Sequence, residues 1–178
     1  MPDPIAETPA LSVVEGLTAR FGDAITGVAE FRGETTIHVQ PAAIGDVCLF
    51  LRDDAAASYD FLSDVSAVDV WPDEPRFQIN YHLYSMTRNA RLRLKASVRD
   101  GQALPSVAGV WPAANWFERE TYDLFGVKFD DHPDLRRILL PDDYLGYPLR
   151  RDAPLVEEEI EFTHNYDEVE ARKPYARE

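Results

Sequence analysis

Residues 76–98 read RFQINYHLYSMTRNARLRLKASV. In the first half Phe77, Ile79, Tyr81 and Leu83 alternate with Gln78, Asn80, His82 and Tyr84. In the second half Leu92, Leu94, Ala96 and Val98 alternate with Arg91, Arg93, Lys95 and Ser97. Strict period-two alternation puts one set on a buried face and the other in water. The intervening SMTRNA is of hairpin length. Two adjacent half-buried strands predict a sheet with one covered face, and the cover must come from elsewhere in the chain. The row Arg91, Arg93, Lys95 is a basic stripe. It reads either as a solvated strand face or as a contact for acidic residues of a partner.

Upstream, FLSDVSAVDVW is a further extended run, stopped by Pro72 and Pro75. Before it, Pro41 suits the first turn of a helix in which Ile44, Val47, Cys48 and Leu51 share one stripe. Cys48 on that stripe reads as a small buried hydrophobe rather than a reactive thiol. The run AITGVAEFRGETTIHVQ, with Arg32-Gly33 at its centre, predicts another hairpin. Leu11, Val14, Leu17 and Phe21 recur at near-helical spacing and Gly22 ends the run, which predicts a helix over about 10–21. The order is helix, two strands, helix, three strands. It predicts an α+β fold: helices on one face of a mainly antiparallel sheet, resembling the ferredoxin-like arrangement.

Downstream lies Trp111–Arg151, WPAANWFERETYDLFGVKFDDHPDLRRILLPDDYLGYPLRR. Pro112 can start a helix and Gly126 can end it. Ala113, Phe117 and Leu124 are expected on its inward face, with Glu120 among them. A carboxylate in an apolar stripe needs a partner, and Arg136, Arg137, Arg150 and Arg151 follow. Glu120 is therefore expected as a structural ion-pair anchor. Asp123 lies four residues after Arg119, at intrahelical ion-pair spacing. Glu118 and Arg119 are expected to face outward. Beyond Gly126, Pro133, Pro141, Pro148 and Pro154 forbid a long helix, yet leucines and tyrosines are too frequent for a free linker. Aromatics and arginine are enriched at interface hot spots, so His132, Arg136, Arg137, Arg150 and Arg151, with Glu118 and Arg119, are read as a partner interface. The expected layout is a leader at 1–9, an α+β domain at 10–126, and an extended partner-binding arm with an acidic tail at 127–178.

Composition narrows the chemistry. The 178 residues carry a formal net charge of −14 with 45% apolar residues, so a core can form, while nucleic acid and anionic lipid are poor direct partners. One cysteine excludes a disulfide framework and a cysteine-ligated cluster within this chain. The four histidines (His38, His82, His132, His164) lack metal-ligand spacing. The first residues, MPDPIAETPA, have neither a basic start nor an apolar run, so no signal peptide is read there. No window reaches the roughly 18 apolar residues of a membrane span. Glu118, Glu120, Asp123 and His132 contain the side chains of an acid/base pair or a hard-metal site. No nucleophile motif, phosphate loop or ligand spacing accompanies them, so a stand-alone hydrolase is the weaker reading.

The run FERETYDLFGVKFDDHPDLRRILLPDD, then GYPLRRD, with WPAANW and DFLSDVSAVD upstream, resembles one family over about residues 59–155. This is the thirty-kilodalton component, lettered C, of NADH:quinone oxidoreductase, respiratory complex I. The resemblance implies a place in the peripheral arm, next to the quinone-site subunit (lettered D) and the cluster-bearing subunits (lettered B and I). It implies no cofactor in this chain, FMN and the iron–sulfur clusters lying in other subunits. It also implies a position on the cytoplasmic side of a bacterial inner membrane. The equivalent component of a membrane-bound hydrogenase-like complex, and an acidic adaptor outside respiration, are the alternatives.

Overall fold

The structure is a computed structural model that describes residues 9–153 and 163–171. In chain order the elements are α1 (Pro9–Phe21), β1 (Ile25–Phe31), β2 (Glu34–Val39), α2 (Ile44–Asp53), β3 (Phe61–Asp69), β4 (Phe77–Ser85), β5 (Ala90–Val98), β6 (Leu104–Pro105), α3 (Ala114–Phe125), β7 (Phe129–Asp130) and α4 (Tyr166–Glu170). The five long strands form one mixed sheet of order β1-β2-β5-β4-β3, and β6 pairs with β7. Neighbours in the sheet are antiparallel except β2 and β5, which run parallel at its centre.

The two strands that anchor the sequence reading pair as a hairpin, with Tyr81 opposite Leu94 and Ile79 opposite Ala96. Phe77, Ile79, Tyr81 and Leu83 are buried, as are Leu92, Leu94, Ala96 and Val98. The β1–β2 turn has Arg32 at φ 52° and Gly33 at φ 80°. Two consecutive left-handed residues make the tight turn whose twist matches a hairpin. On α2 the four stripe residues Ile44, Val47, Cys48 and Leu51 are all fully buried. With Leu17 of α1 and Ala114 of α3 they join the sheet's buried side chains in one core. Each fully buried aliphatic side chain contributes about 1.5–3 kcal/mol. Helices thus cover one face of the sheet, and the polar side chains of β4 and β5 occupy the other.

The stretch 127–153, expected as an extended arm, turns back on its own domain. Leu149 N–H donates to the carbonyl of Leu124 at 3.2 Å and Arg151 N–H to Asp69 at 2.9 Å. The Leu124 carbonyl near the end of α3 and the Asp69 carboxylate at the end of β3 hold it against the domain. Residues 1–8 of the expected 1–9 leader and the tail segments 154–162 and 172–178 lie outside the described residues, while Pro9 begins α1. Among the described residues no helix is long and apolar enough to cross a membrane.

Candidate partner interface

The helix α3 ends at Gly126, which adopts φ 76° and donates its N–H to Tyr122 O at 2.8 Å. That left-handed cap is the glycine's role at a helix C-terminus. The inward face differs from the expected one. Ala114, Glu118 and Thr121 are buried, whereas Ala113 and Glu120 are exposed and Phe117 and Leu124 half-buried. Thr121 Oγ1 donates to Val65 O of β3 at 3.4 Å. The helix is rotated because two polar positions, Glu118 and Asp123, have internal partners that hydrophobicity alone does not reveal. Glu120 is therefore corrected from ion-pair anchor to surface residue; among the described residues no ion pair reaches it. Glu118 and Arg119, expected outward, are both buried.

Glu118 is held by the loop before the helix. Its carboxylate accepts the hydroxyl of Ser106 at 2.6 Å and the N–H of Val107 at 2.7 Å. Burial pushes its pKa up to about 7, although both hydrogen bonds work to lower it. His132 stands beside it with Nε2 at 3.8 Å from Oε2, too long for a hydrogen bond. The Nδ1 of His132 accepts the N–H of Asp134 at 3.0 Å, which leaves the ring proton on Nε2, facing Asn115 O at 3.2 Å. His132 ties residues 132–134 to the start of α3, and its side chain is buried.

Asp123 organises the loop after the helix. One oxygen accepts three successive N–H groups, Ile138, Leu139 and Leu140, at 3.0, 2.8 and 2.9 Å. The other accepts Arg137 Nη1 at 2.7 Å. Burial works to raise its pKa, but the three backbone donors and Arg137 outweigh burial and lower it. Arg119, at pairing distance from Asp123 along the helix, turns instead to the carbonyls of Arg136 and Arg137 at 3.2 and 3.0 Å. Arg137 also donates to Tyr144 O and Gly146 O. Arg150 donates to Phe125 O at 2.7 Å and makes a two-pronged bridge to Asp100 at 2.9 and 3.0 Å. A cation on the last carbonyls of α3 complements the helix dipole. Tyr147 lies against both guanidiniums, 4.7 Å from Arg150 and 5.6 Å from Arg137.

A second clamp has no local sequence signal. Arg76 donates to both oxygens of Asp69, at 3.1 and 2.8 Å, and also to Asp152. Burial works to raise the Asp69 pKa, but Arg76 and the N–H groups of Arg151 and Trp71 bring it down to about 2. Two prolines lie between Asp69 and Arg76, and Asp152 is remote in sequence. Only the fold joins them.

Of the seven expected interface residues, two keep an exposed guanidinium: Arg136, 71% exposed and, among the described residues, bridged only to Asp134, and Arg151. Arg119, Arg137 and Arg150 stabilise the loop from within. Large apolar side chains are exposed on the same surface, Trp116 of α3 and, in the loop, Leu139, Leu145 (92%) and Leu149, interspersed with the exposed acids Asp134, Asp142 and Asp143. Among the described residues no group of His, Cys, Asp and Glu is placed to hold a metal ion. Glu118 and Glu120 point to opposite sides of the helix, which separates the two carboxylates an acid/base pair would need.

A family profile described as "Respiratory-chain NADH dehydrogenase, 30 Kd subunit" matches residues 37–159. The chain is 48% identical over 168 residues to the C component of the NADH-quinone oxidoreductase of Roseiflexus sp. (strain RS-1), covering 94% of this chain and 97% of that one. It is 49% identical over 141 residues to the corresponding C component of Geobacter sulfurreducens, covering 78% and 86%. Among solved structures, a chain of the membrane-bound sulfane sulfur reductase, an archaeal respiratory membrane complex, superposes with a TM-score of 0.69 at 21% identity. That match covers 86% of this chain and 96% of the other, and it shows a shared fold. On the profile match and these identities, the chain belongs to the complex I 30 kDa family of NADH-quinone oxidoreductase subunits.

Proposed function

We propose that the chain is a cofactor-free member of the peripheral arm of a proton-translocating NADH:quinone oxidoreductase. In this reading it catalyses no step itself and holds the quinone-reducing module together, on the cytoplasmic side of the inner membrane. Its partners are the quinone-site subunit and the cluster-bearing subunits, which with the flavin-bearing part carry electrons from NADH to quinone. The observation that carries the reading is the use made of charge in 118–152. Glu118, Asp123, Arg119, Arg137, Arg150 and Arg76 hydrogen-bond within the chain and fix a loop that exposes Leu139, Leu145 and Leu149 beside Trp116 of α3. A fixed surface on which exposed leucines and a tryptophan stand among charged residues, Arg136 and Arg151 included, suits contact between subunits.

The test is a chromosomal deletion with complementation. Membranes lacking the chain are expected to lose NADH:quinone activity while NADH oxidation by an artificial acceptor persists in a dissociated fragment. The wild-type gene is expected to restore quinone activity. Full quinone activity in the deletion would sink the reading.

A further inference from the structure

The sheet face turned away from the helices is separate from the loop surface above. Strand register sets its side chains in rows. One row runs Phe31 opposite Glu34 on β1 and β2, then Arg91 opposite Tyr84 on β5 and β4, then Tyr84 opposite Phe61 on β3. The next carries Thr36 opposite Arg93 and Arg93 opposite His82, with Asp64 beyond. A concavity of about 490 Å³ spans these rows across β2, β5, β4 and β3. Phe61 in its lining is 50% exposed; Phe31, outside the concavity at the β1 end of the row, is 72% exposed with the Arg32 guanidinium 5.2 Å from its ring.

The charge on this face departs from the rest of a chain of net charge −14. Arg93 is ion-paired with Glu34, and Lys95 donates to Gln78 at 3.2 Å. Arg91 is exposed, and among the described residues it has neither an ion pair nor a side-chain hydrogen bond. His82 and His38 are both held below the ordinary imidazole range, first by burial and then by Arg93 and Lys95 respectively.

We propose that this face is a second docking surface, which receives an acidic segment of a neighbouring protein in the complex, a carboxylate meeting Arg91 and an apolar side chain lying over Tyr84 and Phe61. The proposal rests on the reading of the chain as one part of a larger complex. The row pairs one unmatched guanidinium with three aromatic rings, the composition of an interface anchor. A nucleic acid needs several free cations along its backbone, and the first row offers one. A second copy of the same face in a two-fold pairing sets like surface on like surface; Glu34 is already paired with Arg93, which leaves Asp64 to meet the Arg91 of the other copy.

The experiment uses the assembled complex, in a strain whose only copy of the chain carries a photoreactive phenylalanine analogue at position 61. Irradiation is expected to join it to another subunit within a peptide containing Asp or Glu, and Arg91→Glu in the same chain is expected to cut the yield about tenfold, the effect of roughly 1.4 kcal/mol in affinity. Arg91→Lys keeps the charge and is expected to keep most of the yield. Because Arg91 is exposed, both variants are expected to match the wild-type melting temperature as isolated chains. A product only with nucleic acid or a second copy, or no product in an assembled complex, overturns the proposal. If the deletion strain keeps full quinone activity, the reading of the chain as part of the oxidoreductase has failed instead; loss of activity without the photoproduct removes the docking surface alone.

Discussion

Asp123 holds Arg137 at 2.7 Å and, with its other oxygen, caps the N–H groups of the three residues that follow Arg137. Successive backbone N–H groups around one carboxylate oxygen form an anion nest. Asp123→Ala strands a mostly buried guanidinium and three N–H groups together. Breaking one side of such a pair costs about 3–5 kcal/mol. Urea unfolding of the purified chain is expected to show a loss of that size, with trypsin cleaving after Arg136 and Arg137. Asp123→Asn keeps one carbonyl oxygen and is expected to lose less. A midpoint unchanged in Asp123→Ala would refute the role.

Gly126 admits no side chain. Its φ of 76° lies in the left-handed region, and an added Cβ would sit 2.5 Å from Cε2 of Tyr147 and 2.8 Å from Nη2 of Arg150. Tyr147 cannot swing aside freely because Arg137, Arg150 and Tyr122 surround its ring. The backbone term alone costs roughly 1–2 kcal/mol, and the overlap adds about 1–3 kcal/mol more. Gly126→Ala is expected to lower the melting temperature by about 4–20 °C, at roughly 2–4 °C per kcal/mol. A smaller shift in Gly22→Ala, where φ is 49° but nothing lies within 4 Å, separates the backbone cost from the overlap.

Two groups of carboxylates give stability opposite dependences on pH. Asp69, near 2, and Asp123 are lowered in the folded state, so their contribution is complete above the ordinary carboxylate value and is lost as pH falls through their folded values. Glu118 runs the other way. Its folded pKa of about 7 lies above its ordinary 4.5, so the folded chain binds that proton more tightly than the unfolded chain. Stability falls as pH rises from about 4.5 to about 7 and then levels off, for a change on the order of 3 kcal/mol. Glu118→Gln can accept from Val107 N–H and donate to Ser106, as a protonated carboxyl would. It is expected to match the wild type at about pH 5 and to exceed it at about pH 8 in urea titrations. Parallel wild-type and variant profiles would exclude Glu118 as the source.

The parts of the fold legible in the sequence are those written in hydrophobic period. The alternation of Phe77–Leu83 and Leu92–Val98, the turn at Arg32-Gly33, the α2 stripe and the Gly126 cap all depend on near neighbours. The rotation of α3 does not. Phe117 and Leu124 mark an apolar face, but Glu118 is drawn inward by Ser106 and Val107, and Asp123 by Arg137 and the N–H groups beyond it. A buried carboxylate supplied with backbone donors from a distant loop has no periodic signature. The same holds for Asp69 with Arg76 and Asp152, which join the end of β3, the start of β4 and the chain after Arg150. The arginines after Gly126 signalled a charged assembly; which of them face inward is set by where the helix carbonyls and carboxylates end up.

Glu120 supplies the sharpest contrast with Asp123, since both are acids on α3 and hydrophobic spacing favoured Glu120 as the anchored one. Glu120 is exposed, and among the described residues it has no ion pair, whereas Asp123 is buried with four donors. A surface substitution away from special features changes stability by no more than about 0.5 kcal/mol. Glu120→Ala also replaces a residue by the best helix former. The purified Glu120→Ala chain is therefore expected to unfold within about 0.5 kcal/mol of the wild type, while Asp123→Ala falls by several. If a neighbouring protein of the complex covers this turn of α3, the Glu120→Ala deficit appears only in assembly, as reduced recovery of the chain with solubilised complex at unchanged monomer stability. Equal losses of monomer stability in the two variants would restore Glu120 as an internal anchor and contradict the rotation of the helix.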